Sequence, residues 1–296
     1  MTHSISWVDV FGRAPLAGNP VAVVHDATGL DDDQLAAFAR WTNLSETTFL
    51  LPPADDRADY RLRIFTPGGE LRFAGHPTLG SAHAWLERDG APASPDRVVQ
   101  ECGIGLVEVR QSRGPEEARQ ARLEGRERFL SFRAPDFLRF GEVDEQTLDR
   151  AVASLGLEPE RVVRSSWIDN GPGWLGLQLE TAEEVLGLRP DFAAMAGLKI
   201  GVLGAHCEQD RERIGAAYEV RAFCPGMSIP EDPVTGSLNA GFARWLTAAD
   251  HLPADYVARQ GTALGRDGRV QVTTEESGEI WVGGSARTLV SGSLAL

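Results

Sequence analysis

The segment YRLRIFTPG at residues 60–68 returns as YEVRAFCPG at residues 218–226, and both follow the pattern Y-x-x-R-x-F-x-P-G. A second match follows each copy, PTLGSA at 77–82 and PVTGSL at 233–238. Two matches in the same order indicate an internal duplication, which decides the architecture before any single motif does. The repeat therefore predicts two domains of similar fold.

Each copy of the repeat has the signature of a strand, a turn and a helix. Alternating apolar residues indicate the strand, Pro and Gly mark the turn, and apolar residues at helical spacing follow. The two helices are predicted at 79–88 and 237–248, each with one apolar face. Amphipathic helices are also predicted at 31–42 and 143–155, and the rest of the chain is mostly strand-like.

A charged segment separates the two copies. Residues 111–127 contain Gly and Pro and few apolar residues, which favours a hairpin tip or a linker. We place the domain boundary within it. The predicted domains are residues 1–115 and 116–285, and residues 286–296 are expected to form a terminal strand that returns to the first domain.

The composition argues against several partners and chemistries. The formal net charge is -14, which disfavours nucleic acid or an anionic membrane surface as a partner, because both attract basic proteins. Lys199 is the only lysine, in an ordinary Gly-Leu-Lys-Ile context, so neither Schiff-base chemistry nor a phosphate-binding P-loop is expected.

The cysteines and the amino terminus bear on the cellular location. Cys102, Cys207 and Cys224 are widely spaced and odd in number, which fits neither a disulfide framework nor a zinc cluster. The amino terminus has no basic start followed by an apolar run, and no apolar segment approaches the length of a membrane span. We therefore expect a cytoplasmic protein.

The cofactor motifs of the sequence are weak. Residues 171–176 match G-x-G-x-x-G, but they lead into a strand-like segment rather than a helix, which disfavours a dinucleotide site. His76 and His83 lie seven residues apart without a third ligand nearby, so no zinc site is expected. No serine lies in a G-x-S-x-G nucleophile motif. We predict no metal and no organic cofactor.

Several segments together resemble the signature of the phenazine biosynthesis (PhzF-like) family. They are VDVF at 8–11, GNPVAV at 18–23, SETTF at 45–49, GHPTLGSA at 75–82, EDPVTGS at 231–237, GR at 265–266 and VGG at 282–284. They cover nearly the whole chain in the family's order. The resemblance implies an α+β fold similar to diaminopimelate epimerase, with two pseudo-symmetric domains and a cleft between them. Each domain would be a curved, mostly antiparallel sheet wrapped around a central helix.

The resemblance also implies a catalytic role for residues that have simpler interpretations. By position alone, Glu46 would be a surface carboxylate at a strand start, Asp232 a helix cap and Ser237 a helical surface hydroxyl. In the family, the residue that matches Glu46 abstracts a proton. The residue that matches Asp232 orients the substrate, and the residue that matches Ser237 binds it by a hydrogen bond. His76 is expected to shuttle a proton. Because His76 and Asp232 are equivalent in the repeat, we expect them to meet at one cleft.

The predicted substrate-binding residues are Gly75, Pro77, Thr78 and Gly236. Helix starts expected at 76–78 and 232–234 would present free backbone N–H groups and a positive dipole end to a carboxylate. Gly75 and Gly236 have no side chains, so they would leave room for the substrate, and their backbone N–H groups would be further hydrogen-bond donors.

The predicted function is that of a cofactor-independent isomerase that transfers a proton within a small, carboxylate-bearing, cyclic or unsaturated metabolite. The family's named member acts on a dihydro-hydroxyanthranilate. Cys224 corresponds to Thr66 in the other copy, so the catalytic thiol pair of the two-cysteine racemases is absent. The resemblance also implies a homodimer. Two alternatives stay open: a protein that binds or senses small acids, and a hydrolase or lyase of a related acid.

Overall fold

Strands make up most of the regular structure in the computed structural model, which describes residues 2–88, 90–111, 127–227 and 229–296. The chain divides into two units. The first comprises Met1–Arg133 and Gly283–Leu296, and the second comprises Ala134–Val282. No helix among the described residues is long and apolar enough to span a membrane.

The elements of the first unit are β1 (Thr2–Val10), β2 (Asn19–His25), α1 (Asp32–Thr42), β3 (Glu46–Leu51), β4 (Tyr60–Thr66), β5 (Gly69–Leu71), α2 (Gly75–Glu87), β6 (Arg97–Cys102), β7 (Gly105–Gln111) and β8 (Glu127–Arg133). Those of the second are β9 (Arg139–Gly141), α3 (Glu145–Ser154), β10 (Arg164–Asp169), β11 (Trp174–Thr181), α4 (Ala182–Gly187), β12 (Lys199–Ala205), α5 (Glu208–Ile214), β13 (Tyr218–Cys224), β14 (Ile229–Asp232), α6 (Gly236–Phe242), β15 (Asp255–Gln260) and β16 (Gly268–Thr274). The last strand, β17 (Ile280–Ala295), returns the chain to the first unit.

The sheet of the first unit closes on itself around α2. Its strands follow the order β1, β2, β3, β4, β6, β7, β8, and β17 pairs with both β8 and β1. The β2–β3 and β4–β6 pairs are parallel, while the other pairs with a defined register are antiparallel. Because α2 packs against strands on all sides, every residue of 75–84 is buried. The single apolar face predicted for this helix is therefore wrong.

The second unit repeats the same pattern of pairings. β11 and β12 are parallel, β12 and β13 antiparallel, β13 and β15 parallel, and β15 and β16 antiparallel. This is the order of β2, β3, β4, β6 and β7 in the first unit, and α6 packs against β10, β11 and β16. The two copies of the repeat thus form equivalent strands, β4 and β13. The α+β class predicted from the sequence is confirmed.

The repeated arginine has the same structural role in each unit. Arg63 forms two hydrogen bonds with the Glu70 carboxylate, at 2.8 and 2.7 Å, and Arg221 does so with Glu231, at 2.9 and 2.8 Å. Each guanidinium also lies over the repeat phenylalanine two residues later, 5.0 and 4.8 Å from the ring centroid. Arg63 therefore links β4 to β5, and Arg221 links β13 to β14.

The units divide at places other than the predicted ones. The first unit extends past residue 115 to Arg133, because β8 pairs with β7. The chain re-enters that unit at Gly283, ahead of the predicted residue 286. The hairpin tip or linker predicted at 111–127 lies, apart from its two ends, outside the described residues.

The predicted helices exist, with shifted ends. The helices predicted at 31–42 and 143–155 are α1 and α3, which begin after the caps Asp31 and Asp144. The first repeat helix begins at Gly75, four residues earlier than predicted. The second begins at Gly236, and its last part is the π-helical turn Ala243–Thr247.

Replacing Gly80 by Ala should destabilise the fold, because α2 approaches the barrel wall too closely there for a side chain. A Cβ atom at this position would lie 2.4 Å from Cγ1 of Val21. Overpacking of this kind costs about 1–3 kcal/mol, which outweighs the gain of about 1 kcal/mol in helix propensity. Urea unfolding should show a lower free energy of unfolding.

Gly187→Ala is the matched control, since this glycine also lies in a helix but a Cβ atom would meet nothing within 4 Å. It should leave the stability unchanged or raise it. Equal stabilities of the two variants would show that α2 has room inside the barrel and would contradict the packing described above.

Candidate active site

Glu46 begins β3, where the strand enters the wall of the first unit. Its Cα pairs with Val21 on the parallel strand β2, and its side chain is only 8% exposed. A buried carboxylate is costly unless it is hydrogen-bonded or has a function. The interpretation of Glu46 as a surface charge is therefore wrong.

His76 lies beside Glu46 in the first turn of α2. Its Nε2 atom is 3.3 Å from Oε2 of Glu46, and its side chain is 2% exposed. The pair arises because β3 and α2 both begin at the same end of the first unit. The structure thus brings together two of the four predicted catalytic residues.

The surroundings of His76 keep its imidazole neutral. Burial lowers its pKa to about 3, although the backbone carbonyl of Pro20 acts in the opposite direction. The Asn19 side chain approaches the other ring nitrogen, with Nδ2 at 3.1 Å from Nδ1. The proton of the neutral ring is on Nε2, the nitrogen that faces Glu46, if Nδ1 accepts from Asn19, and on Nδ1 if that atom donates to the Pro20 carbonyl.

This geometry suits general acid–base chemistry. A buried carboxylate can accept a proton, and the neighbouring imidazole, in the tautomer with its proton on Nε2, can donate a hydrogen bond to the same reacting group. The low pKa of His76 makes its imidazolium form unfavourable. His76 is consequently a weak proton acceptor.

Asp232 is the last residue of β14 in the second unit, and it is buried. Its Oδ2 atom accepts a hydrogen bond of 2.5 Å from the Thr235 hydroxyl, and its backbone carbonyl accepts one of 3.1 Å from Gln260. The helix start predicted at 232–234 is wrong, because Asp232 pairs with Ala222 on β13 and α6 begins only at Gly236. Asp232 is therefore not the cap of α6.

Ser237, the second residue of α6, is also buried rather than at the surface. Its Oγ atom accepts a hydrogen bond of 3.1 Å from the Trp174 indole, and its backbone carbonyl accepts one of 2.9 Å from Asn170. A hydroxyl that accepts from an indole still has its own proton to donate. Ser237 can thus act as a hydrogen-bond donor.

The predicted substrate-binding residues lie at the starts of the two helices. Gly75 and Gly236 are the first residues of α2 and α6, where N–H groups have no partner within the helix. Pro77 is buried in the first turn of α2. The Thr78 hydroxyl is engaged within the protein, since it donates to Ala74 O at 2.9 Å and accepts from a glutamine at 3.0 Å. Their contact with a substrate stays a prediction.

A buried glutamine supports the helix start in each unit, and neither glutamine was predicted as a site residue. Gln100 on β6 donates to the Thr78 hydroxyl, and Gln260 on β15 donates to the Thr235 hydroxyl at 2.9 Å while accepting from its N–H at 3.0 Å. Both glutamines are fully buried. The signal that could have identified them is a polar residue at an inward-facing position of two equivalent strands, β6 and β15.

The chain is similar over almost its whole length to known proteins. The profile of the PhzC-PhzF family, described as phenazine biosynthesis-like protein, matches residues 8–293. The chain is 33% identical over 288 residues to the trans-2,3-dihydro-3-hydroxyanthranilate isomerase of Pseudomonas aeruginosa, covering 94% of this chain and 92% of the relative. It is 34% identical over 306 residues to antisense-enhancing sequence 1 of Schizosaccharomyces pombe, covering 98% of each chain.

The fold is similar to that of a solved structure. The structure of a predicted epimerase, PA4716 from Pseudomonas aeruginosa, matches this chain with a TM-score of 0.77 at 26% sequence identity. The match covers 99% of both chains.

The His76 imidazole should stay neutral between about pH 8 and pH 4, because burial holds its pKa near 3. The Cε1–H signal in proton–carbon NMR spectra, assigned by its loss in His76→Gln, should not shift over that range. Since the unfolded ring binds a proton at its ordinary pKa of 6.5, this group should stabilise the fold fully above that pH and progressively less as the pH falls. A titration midpoint near 6.5 in the folded protein would contradict the burial of His76.

Proposed function

We propose that this chain, which belongs to the phenazine biosynthesis-like (PhzC-PhzF) family, transfers a proton within a small carboxylic acid by means of Glu46. The chain is an isomerase of that family. The observation that carries the proposal is the buried contact of 3.3 Å between the Glu46 carboxylate and His76 Nε2. A carboxylate in that position can take a proton from one atom of a substrate and return it to another.

In the proposed reaction, Glu46 removes a proton from a carbon atom and the double-bond electrons shift toward a neighbouring position. The same proton then returns to a different carbon, so that substrate and product have the same composition. His76 donates a hydrogen bond from Nε2 to the substrate atom that gains electron density. Neither step requires an oxidant, a reductant or a cofactor.

We further propose that Asp232 and Ser237 act on the same substrate. Asp232 is equivalent to His76 in the repeat, and Ser237 lies in the first turn of the equivalent helix. The Thr235 hydroxyl orients the Asp232 carboxylate, and the Ser237 hydroxyl has a proton to donate. That the two units contribute to one site is supported by the repeat and by the family resemblance, and it stays a proposal.

The proposed substrate is a small, cyclic or unsaturated acid. The N–H groups at Gly75 and Gly236 would bind its carboxylate at the helix starts. One relative of this chain is named for a dihydro-hydroxyanthranilate, but another of similar identity has a name that specifies no reaction. The relatives therefore support the class of substrate rather than one compound. It likewise stays a prediction that the protein is a cytoplasmic homodimer. The same holds for the predictions that it uses no cofactor and binds neither nucleic acid nor a membrane.

Glu46→Gln should abolish turnover while leaving the fold intact. The amide keeps the size of the side chain but has no basic oxygen, and general bases contribute about 10²–10⁴-fold to rate. In deuterated water, the wild-type enzyme should convert trans-2,3-dihydro-3-hydroxyanthranilate or a related cyclic acid, and mass spectrometry would follow product and deuterium content. The variant should form no product.

Glu180→Gln provides the matched control, because this carboxylate is exposed on β11. It should retain the wild-type rate, and circular dichroism should show the same fold for both variants. Near-normal turnover by Glu46→Gln would mean that the base lies elsewhere, with His76 as the next candidate.

A further inference from the structure

The glycine motif at residues 171–176 forms the turn between β10 and β11 and the first residues of β11. The Asp169 carboxylate accepts hydrogen bonds from the N–H groups of Gly171 and Gly173, at 2.7 and 2.6 Å. Gly173 has a φ of +95°, a conformation that residues with a side chain adopt only under strain. The motif therefore builds a tight turn within the second unit.

Two further contacts fix this turn against the second unit. The Lys199 side chain on β12 donates a hydrogen bond to the backbone carbonyl of Pro172. A Cβ atom at Gly176 would lie 2.6 Å from Cδ1 of Ile168 and 3.2 Å from the Phe242 ring of α6. Because no side chain is present at Gly176, α6 can pack closely on β10 and β11. The motif thus sets the position of the turn relative to α6.

Asn170 and Trp174, on either side of the turn, both form hydrogen bonds with Ser237. The Trp174 indole donates to Oγ of Ser237 at 3.1 Å, and the Asn170 amide donates to its backbone carbonyl at 2.9 Å. Trp174 is 2% exposed and Asn170 is 1% exposed. The turn therefore holds both the backbone and the side chain of Ser237.

The direction of the bond from Trp174 follows from its chemistry, because an indole N–H group can only donate. The Ser237 oxygen must accept, and its own proton is donated to no acceptor among the described residues. Rotation of the serine side chain would break this bond and leave a buried N–H group unpaired, which is costly. Trp174 thus keeps the Ser237 hydroxyl in one rotamer with its proton unused.

Ser81, the equivalent serine of the first repeat, is bonded differently. Its Oγ atom lies 2.9 Å from the Thr48 hydroxyl, which itself donates to the backbone carbonyl of Ala22 at 3.3 Å. Because the Thr48 proton is used in that bond, Ser81 donates to Thr48. The proton of Ser81 is therefore used inside the first unit, whereas Ser237 has no such acceptor within the described part of the second unit.

The first unit has a contact comparable to that of Trp174. β2 and β11 occupy equivalent places in the order of strand pairing, and their first residues are Asn19 and Trp174. The Asn19 side chain contacts His76, with Nδ2 at 3.1 Å from Nδ1. In each unit, the start of this strand thus contacts a residue for which we propose a role in proton transfer.

We propose that Trp174 is a positioning residue for the reaction, which holds the Ser237 hydroxyl ready to donate its proton to an acceptor atom of the substrate. This inference rests on the proposed function, because it requires that Ser237 binds the substrate. Without the indole N–H group, the hydroxyl is free to turn toward a nearby backbone carbonyl, as serine side chains in helices commonly do. The substrate then loses a hydrogen-bond donor.

Two replacements of Trp174 test this role. Trp174→Phe removes the N–H group and part of the ring, and site-specific incorporation of benzothienylalanine, with sulfur in place of N–H, keeps the size of the side chain. Both should lower kcat/KM for trans-2,3-dihydro-3-hydroxyanthranilate by about three- to tenfold, the effect of one hydrogen bond. Combined with Ser237→Ala, neither should cause a further loss, because Trp174 acts only through the Ser237 oxygen.

Trp167 of β10 provides the matched control. It is also buried, but its indole nitrogen has no hydrogen-bond partner among the described residues. Benzothienylalanine at position 167 should therefore leave kcat/KM unchanged. If Ser237→Ala is slow while benzothienylalanine at position 174 retains the wild-type kcat/KM, the inference about Trp174 is overturned and the proposed function is not. If Ser237→Ala itself is as fast as the wild type, the proposed role of Ser237 is wrong.

A measurement without substrate tests the hydrogen bond itself. The indole N–H signal of Trp174 in proton–nitrogen NMR spectra, assigned by its loss in Trp174→Phe, should shift in Ser237→Ala because the acceptor oxygen is gone. The signal of Trp167, assigned in the same way, should stay in place. An unchanged Trp174 signal would overturn the inference, and so would an additional loss of kcat/KM when the two replacements are combined.

Discussion

The burial of α2 on all sides is the constraint on which the rest of the first unit depends. A helix that is surrounded by strands must be apolar or hydrogen-bonded throughout, and Thr78 and Ser81 meet this requirement through Gln100 and Thr48. Because the helix begins next to the first residue of β3, His76 is held against Glu46 away from bulk water. The contact between Glu46 and His76 is thus a consequence of closing the barrel around its helix.

Desolvation also changes the acid–base properties of His76 beside Glu46. The loss of water lowers the pKa of His76 to about 3, so the ring is neutral and a weak base. In the reaction that we propose, the proton-accepting role belongs to Glu46. A histidine on an exposed loop would titrate near neutral pH and compete for the same proton.

Much of the fold was accessible from the sequence because the repeat carries its own turn residues. The strand, the Pro-Gly turn and the following helix were predicted in both copies, and they form β4 with α2 and β13 with α6. The position of Asp232 could not be predicted from the sequence, because its place in β14 depends on pairing with Ala222 of β13. Glu46 has no distinguishing pattern of its own, and only the family resemblance pointed to it. Asn19, which lies against His76, falls in the family segment at 18–23, but no role was predicted for it.

We propose that residues of both repeats act on one proton transfer, and this proposal needs the most direct test. A double-mutant cycle of His76→Gln and Ser237→Ala, measured as kcat/KM on a substrate that the enzyme turns over, tests it most directly. Residues that act as a unit are strongly non-additive, so the double variant should be no slower than the slower single variant. Multiplicative losses of rate would contradict the claim, because they would show that the two residues contribute independently.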